Sequence, residues 1–379
     1  MKKVLLGTTA IAVAGFVVGS AATANAAEPI SVGINGYWKS AMAMINEDND
    51  DGNLSDARNS HALGSDVEMS LSGATTLDNG LTVGFNAQLE GGNDAAVSSG
   101  EAFDEAWFYF SGAFGELRMG KVESARQQAG VTFGGGAASN FGVNSPFFIF
   151  GNGGGNLFTR TNDDGIGNED NVKLVYALPS FNGVNLAVSY APNDAENQQY
   201  GGNTGDTAGA LQNNLAVGAN YTADFGGGSV TLRGGYEAYV LERCNASAAT
   251  QTCNDNPESV NLGAAVSFGS VTIAADTLTT SQITQTTTGT DRERSDHHVG
   301  ASYNMGATTI SLGWGHSEVE QTNLTTDELD LYELAASYVL GPGIDVQAAI
   351  RSGEFDDETA GDNNDNSWTS ILIGTSIGF

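Results

Sequence analysis

The chain has 379 residues, of which 51 are glycine, 45 are Asp or Glu and only 14 are Lys or Arg, and its formal net charge at pH 7 is -31. Glycine exceeds its usual share of about 7%, while charged residues, at 16%, fall below the usual share of about 25%. This composition excludes a coiled coil and a charge-rich disordered protein, and the shortage of Lys and Arg argues against a nucleic-acid partner.

The first 26 residues have the pattern of a secretory signal peptide. Two lysines precede an apolar run over residues 4–18, and residues 24–26, Ala-Asn-Ala, supply small side chains at the cleavage positions. The alternative is a membrane anchor, but the run is shorter than the roughly 20 residues that a spanning helix needs. We therefore expect export, cleavage after Ala26 and a mature domain of residues 27–379.

Beyond residue 26 the dominant pattern is a two-residue alternation of apolar and polar side chains. In LTVGFNAQLE, residues 81–90, the apolar side chains share one parity and the polar ones, with a glycine, share the other, which predicts a strand. We count sixteen such segments, at residues 30–45, 63–73, 81–90, 102–112, 115–121, 170–178, 184–190, 214–221, 229–240, 259–268, 270–279, 296–304, 307–316, 331–340, 344–350 and 370–379.

The connections between these segments alternate in length. Short turns lie at residues 77–80, 113–116, 180–183, 224–228, 268–270, 304–307 and 340–343. Long polar links lie at residues 46–60, 91–101, 122–168, 192–210, 242–258, 280–294, 317–328 and 353–367. Hairpins with tight turns at one end and long loops at the other predict an all-β fold, a 16-stranded antiparallel transmembrane β-barrel with long extracellular loops and short periplasmic turns.

A soluble β-sandwich would also alternate, and the aromatic residues help to decide between the two folds. In a sandwich the apolar parity must fill a core, whereas in a barrel it only has to contact lipid. Aromatic side chains near the short-turn end occupy the apolar parity, as the membrane interface favours. These are Phe110, Tyr221, Phe268, Tyr303, Tyr338 and Phe379. The barrel is the favoured interpretation.

Two hairpins resemble those of the Gram-negative general porins. AWFYFSGAFGELRMGKVESA, residues 106–125, is similar to the family hairpin that precedes the long third loop, and NVKLVYALPSFNGVNLAVSYAP, residues 171–192, is similar to the next one. The resemblance implies a trimeric, water-filled channel of sixteen strands whose third loop folds inward as the constriction. It also implies that the terminal aromatic Phe379 belongs to a signal for the barrel assembly machinery.

The third long link, residues 122–168, suits that role because it is by far the longest connection. Its glycine runs and its apolar SPFFIF segment, residues 145–150, combine a flexible backbone with apolar side chains that are costly to leave in water. A large external lid is the alternative to an inward fold. In the family the third loop often carries a carboxylate beside its FGG tripeptide, but here Thr132 precedes the tripeptide.

Parity also selects candidate pore and constriction residues. We place in the lumen Lys39, Asp66, Glu68, Glu90, Arg118, Lys173 and Arg233, together with Glu237, Asp276, Glu333, Asp345 and Arg351. Lys121 matches the basic residue after glycine in the family pattern, although strict alternation turns it outward unless Gly120 forms a bulge. Opposed charges across an aqueous gap would create a transverse field, but each residue could equally be a merely solvated side chain.

Other features of the sequence add smaller expectations. In an exported protein Cys244 and Cys253 are expected to form a disulfide that closes a short loop. The acidic long links favour cations at the channel mouth, although the acidity could instead reflect solubility or a salty habitat. Residues 47–58 and 162–170 are rich in oxygen ligands, but neither matches a calcium loop, and we predict no dedicated metal site and no cofactor.

Two functional hypotheses follow from the sequence. The first is a passive diffusion channel for ions and small hydrophilic solutes, trimeric as the resemblance implies, embedded in outer-membrane lipid and preferring cations. The second is a non-conducting barrel that acts as an adhesin or receptor through its acidic loops. No catalytic motif is present; an enzyme with a Ser-His pair on the lipid face, involving His297 or His316, is a distant alternative.

Overall fold

The structure describes most of the chain after the expected signal peptide. The computed structural model describes residues 28–48, 60–92, 103–129, 166, 171–194, 211–241, 256–281, 293–320, 325–358 and 365–379. The expected signal peptide, the disulfide and most of the third long link lie outside these residues, as do most of residues 47–58 and 162–170. Among the described residues, no helix is long and apolar enough to cross a bilayer.

Sixteen strands and one short helix make up the described chain. They are β1 Ser31–Asp48, β2 His61–Thr76, β3 Thr82–Gly92, β4 Ala106–Gly112, β5 Gly115–Lys121, α1 Ala125–Ala129, β6 Val172–Ala177, β7 Val184–Asn193, β8 Leu211–Phe225, β9 Gly228–Leu241, β10 Glu258–Phe268, β11 Val271–Ser281, β12 Glu293–Met305, β13 Thr308–Glu320, β14 Thr326–Gly341, β15 Ile344–Asp356 and β16 Asn366–Gly378. Each strand overlaps one of the sixteen segments that the periodicity predicted, so the strand count is confirmed.

All sixteen strands belong to one closed antiparallel barrel. Every strand pairs with its neighbours in sequence, and β1 pairs with β16 to close the cylinder. The last residue takes part in this closure, because Phe379 and Gly36 exchange two backbone hydrogen bonds of 3.0 Å. The predicted barrel fold is confirmed, and closure leaves no sheet edge to face lipid.

The short turns have the backbone geometry that tight hairpins need. Between β6 and β7, Asn182 and Gly183 both have positive φ, at 49° and 82°, and the flanking Phe181 and Val184 pair across the turn. Two successive residues with positive φ match the right-handed twist of a hairpin, which explains the Asn-Gly sequence.

The two parities of each strand face different surroundings. Large apolar side chains such as Ile273, Leu312 and Ile373 are exposed on the outside, where they would contact lipid. The alternate residues are mostly buried, and many are polar or charged, as along β15, where Asp345, Gln347 and Arg351 share the inner face. The apolar-out and polar-in arrangement is that of a membrane barrel with a polar interior.

The seam between β1 and β16 offers a test of closure. Asn46 and Thr369 are both exposed and lie opposite each other in the register. In a variant with both native cysteines replaced by serine, we expect Asn46→Cys and Thr369→Cys to be joined by a short thiol crosslinker, because directly opposed Cβ atoms lie about 5 Å apart. The crosslink is detected by mass spectrometry of proteolytic fragments.

The matched control combines Asn46→Cys with Ile373→Cys, four residues further along the same strand. That pair should remain uncrosslinked by the same reagent. Equal reaction of both pairs would contradict the register, and no reaction of the first pair would contradict closure.

Candidate functional site

The site with functional potential is the inner face of the barrel. Inward acids on the described strands outnumber the inward bases. The acids are Glu47, Asp66, Glu68, Glu90, Glu116, Asp224, Glu237, Asp276, Asp296, Asp327, Glu333 and Asp345, and the bases are Lys39, Arg118, Lys173, Arg233, Arg294 and Arg351. The inner wall of the described strands is therefore acidic in total.

The beginning of the third long link lies inside the barrel. Helix α1 packs against β7, β8 and β9, and the carboxylate of Glu237 on β9 organises the contact. This carboxylate accepts hydrogen bonds from the Arg126 guanidinium at 2.8 Å, the Ser124 hydroxyl at 3.2 Å and the Asn214 amide at 2.8 Å. Because Arg126 is fully buried and Glu237 nearly so, the pair is held away from water and orients the helix on the wall.

Two glycines make room for this helix. A Cβ atom at Gly218 would overlap the carbonyl oxygen of Ala125, and one at Gly235 would overlap the side chain of Arg126. The backbone amide of Ala125 also donates a 2.9 Å hydrogen bond to the Ser189 hydroxyl on β7. Small residues on β8 and β9 thus let the helix backbone lie directly on the barrel wall.

A second group of side chains holds the start of the same link from β4 and β5. The Arg118 guanidinium donates to Glu116 at 2.6 Å and to Gln128 of α1 at 3.1 Å, and it lies over the ring of Trp107 at 4.7 Å. The carboxylate of Glu105 accepts from the Trp107 indole at 3.4 Å and from the backbone amide of Glu123 at 3.2 Å. These contacts fix the point at which the link leaves β5.

Lys39 and Asp66 form an ion pair on β1 and β2. Their charged atoms are 3.1 Å apart, and the Lys39 ammonium also lies 4.0 Å from the ring centroid of Tyr37. On the same wall the register places Glu68 opposite Glu90 and also opposite Tyr37. The structure therefore brings four of the sequence-predicted pore residues together on β1, β2 and β3.

Three more of the predicted bases lie elsewhere on the barrel. Lys173 is buried on the inner face of β6, and its ammonium donates to the Asn171 carbonyl at 3.4 Å. Arg233 faces inward from β9 and is half-buried, opposite Asn220 on β8. Lys121 shares the parity of the outward Met119, and its ammonium donates to the Phe103 carbonyl at 2.9 Å.

A bulge at Gly120 would turn Lys121 inward. Gly120 does have an unusual backbone conformation, but the pairing register does not shift there. Its φ is 143°, while β4 and β5 stay in continuous register through Lys121. A backbone twist without an inserted residue does not move Lys121 to the inner parity.

The structure adds inward residues that the sequence analysis did not select. On β12, Arg294 and Asp296 form a 2.9 Å ion pair, and His298 lies 2.7 Å from Asp276 on β11. The three β12 residues share one parity. Asp296 and His298 already lay within the predicted segment 296–304, and extending that strand toward its long-link end would have added Arg294. No sequence pattern could have predicted the inward position of Arg126, because a single helical turn is too short to show a helical periodicity.

Part of the inner wall is apolar, which also differs from the simple parity rule. Leu329, Leu331, Phe355 and Trp368 face inward on β14, β15 and β16 and form one buried cluster. Side chains that are almost completely buried are packed against protein rather than water. The open lumen is therefore narrower than the backbone cylinder.

Comparison with known proteins agrees with this geometry. The family model described as Gram-negative porin matches residues 7–358. The chain belongs to the Gram-negative porin family. Among curated proteins no relative matched the sequence.

Solved porin structures resemble the whole barrel. An anion-selective porin from Comamonas acidovorans has a TM-score of 0.61 at 19% identity, and the alignment covers 92% of this chain and 100% of that one. A loop L8 deletion mutant of OmpT from Vibrio cholerae has a TM-score of 0.58 at 12% identity, covering 93% and 100%. A triple mutant of the Rhodopseudomonas blastica porin has a TM-score of 0.54 at 16% identity, covering 92% and 100%.

Family membership and fold together support a passive, non-enzymatic channel in the outer membrane. At these identities the structural neighbours show the fold alone. The anion selectivity in the name of the Comamonas protein belongs to that protein, so the ion preference of this porin has to be argued from its own residues.

The close packing of α1 against the barrel wall leads to a prediction about conductance. Gly218→Val places a branched side chain where the Ala125 carbonyl lies, and overpacking of this kind costs about 1–3 kcal/mol. We expect the helix to move from the wall toward the pore axis, lowering single-channel conductance in planar bilayers and increasing current noise.

Ala219→Val is the matched control because its side chain points to the outside of the same strand. Conductance of this variant should equal that of the unmodified porin. If Gly218→Val also leaves conductance and noise unchanged, α1 does not help to set the size of the pore.

Proposed function

We propose that this porin is a homotrimeric, cation-preferring diffusion channel for ions and small hydrophilic solutes. The observation that supports cation preference most directly is the charge of the inner wall, where carboxylates outnumber bases on the described strands. The acidic long links add negative charge at the mouth.

The pairing of the bases strengthens this argument. Five inward bases have a carboxylate partner within 3.1 Å, in the pairs Lys39 with Asp66, Arg118 with Glu116, Arg126 with Glu237, Arg294 with Asp296 and Arg351 with Glu333. In four of these pairs the partners are on the same strand or adjacent strands, so they largely cancel locally instead of forming opposed rings across the lumen. Bases whose charge is neutralised by a neighbouring carboxylate attract few anions. The excess of acids therefore makes the electrostatic potential in the lumen negative.

The inward position of α1 favours a channel over an adhesin or receptor. An adhesin needs no helix inside the barrel, whereas a channel uses such a segment to narrow its lumen. The third long link, residues 122–168, is accordingly proposed as the constriction, with Lys39, Asp66, Glu68, Glu90, Arg118, Lys173 and Arg233 as pore-lining residues. Because Lys121 lies on the outward parity, we propose that it supports the start of the third long link and does not line the lumen.

Export and assembly complete the proposal. Signal peptide cleavage after Ala26 would deliver the chain to the periplasm, where a disulfide between Cys244 and Cys253 can form. The exposed terminal ring of Phe379 would be accessible to the assembly machinery before β16 closes against β1. The trimer is proposed from the resemblance to the general porins.

Planar-bilayer recording tests the channel and its selectivity together. In asymmetric KCl we expect conductance steps in groups of three and a reversal potential that favours potassium. Glu68→Gln should lower the cation-to-anion permeability ratio roughly twofold, since one carboxylate about 8 Å from an ion in water contributes roughly 0.5 kcal/mol. Glu258→Gln, on the outer face, is the control and should leave the ratio unchanged.

A reversal potential that favours chloride would refute cation preference while leaving the channel intact. Absence of conductance from protein that keeps its heat-dependent shift in gel mobility would instead refute the channel. Single, ungrouped steps would refute the trimer.

Glu105 provides a prediction about pH. This residue precedes β4, and burial raises the pKa of its carboxyl to about 6, although two hydrogen bonds oppose the shift. Because the folded protein favours the protonated form, the negative charge is complete above about pH 7 and is lost as the pH falls through 6. Ordinary glutamates remain ionised in that range.

We therefore expect the cation preference to decrease between pH 7 and pH 5 with a midpoint near the pKa of Glu105, about 6. The reversal potential in asymmetric KCl, recorded at half-unit intervals of pH, measures this change. Glu105→Gln should remove the step. A step of the same size in that variant would assign the titration to another group.

A further inference from the structure

The outer face of the barrel carries a polar cluster at the long-link end of β12, β13 and β14. His316 on β13 hydrogen-bonds through one ring nitrogen to Asp330 at 3.1 Å and through the other to Glu318 at 3.0 Å. Its ring stacks between those of His297 and Trp314, and the Trp314 indole donates to Asp330 at 2.9 Å. We call these five residues the outer rim cluster.

Among the residues that the structure describes, carboxylates outnumber bases around this cluster. The register places Glu318 opposite Glu328, which in turn lies opposite Asp356 on β15, and it places Asp330 opposite Glu354. Directly opposed like charges destabilise a sheet. A His316 ring that donates from both nitrogens carries one positive charge, but neither Lys nor Arg lies on the outer face of the described strands β12 to β15.

An apolar groove continues from the cluster toward the middle of the barrel. It has a volume of about 560 Å³, and Trp314 belongs both to its lining and to the outer rim cluster. Other lining side chains are Ile273, Val299, Leu312, Tyr332 and Leu334. We call this feature the outer groove.

The order of these features along the strands sets their depth in a membrane. Charged side chains on a lipid-facing wall are tolerated near the interface and are costly at the midplane, while Trp and Tyr favour the interface. The outer rim cluster therefore lies at headgroup level, and the outer groove below it lies within the hydrocarbon. A single lipid can span both, with its headgroup at the carboxylates and an acyl chain in the groove.

We propose that the outer rim cluster and the outer groove together bind a lipid whose headgroup carries an ammonium group. The argument is one of charge complementarity. The excess of carboxylates among the described residues repels a phosphate that has no accompanying cation, whereas an ammonium relieves their mutual repulsion and can contact the faces of Trp314 and Tyr332. The site does not depend on whether the lumen conducts cations or anions.

Native mass spectrometry of the full-length porin tests the proposal. The protein is exposed to mixed micelles of detergent with either phosphatidylethanolamine or phosphatidylglycerol bearing the same acyl chains, with a chelator present to remove divalent cations. We expect phosphatidylethanolamine to be retained about tenfold more, as a few partly exposed charge contacts together permit. Variants are used only if they keep the heat-dependent gel shift.

Two variants separate the charge of the site from its shape. Asp330→Asn combined with Glu354→Gln should remove the preference for phosphatidylethanolamine, whereas Glu258→Gln, on the outer face of β10, should preserve it. Ala301→Leu, which places a larger side chain in the outer groove, should reduce retention without altering any charge.

Three results would overturn the proposal. The first is equal retention of the two lipids by the unmodified porin, and the second is an unchanged preference in the Asp330→Asn, Glu354→Gln variant. The third is retention of phosphatidylglycerol alone once calcium is restored, which would show that a metal-bridged phosphate occupies the surface.

Discussion

A strand that crosses hydrocarbon must satisfy every backbone hydrogen-bonding group within the protein, and this requirement governs the whole structure. Sixteen strands satisfy it only because β16 returns to pair with β1, and Phe379 at the end of the chain forms two of the closing hydrogen bonds with Gly36. Once the cylinder is closed, the two-residue period of a strand assigns each side chain to lipid or to the interior. The lumen follows from closure.

The same period explains why the fold could be predicted from sequence. In β15 the apolar side chains of Ile344, Val346 and Ile350 alternate with the polar side chains of Asp345, Gln347 and Arg351, so even a short window reports which side chains face inward. Asp345 and Arg351 were assigned correctly to the inner face for this reason. Turn chemistry added independent information, because Asn182 and Gly183 need positive φ and stand where a tight hairpin requires it.

Period alone could not predict contacts that depend on distant segments. The contact between α1 and the barrel wall involves Gly218, Gly235 and Glu237 from two strands and Arg126 from a single helical turn. No regular spacing in the sequence relates these residues. The parity rule also predicted a polar inner wall near Leu331, where the wall is apolar, because the rule assumes an interior filled with water. A buried apolar cluster forms where the interior is packed with protein, and local sequence does not distinguish the two environments.

Counting charges in the lumen is similarly insufficient without their partners. A base that is hydrogen-bonded to a carboxylate, as Arg351 is to Glu333, contributes a short-range dipole, whereas an excess carboxylate contributes a net charge. The field of a dipole falls off faster with distance than that of a charge, so the excess acids dominate at the pore axis. The same reasoning applies to the outer rim cluster. There the excess carboxylates lie beside lipid headgroups instead of mobile ions, so the kind of charge that we propose selects cations in the lumen would select a cationic headgroup outside it.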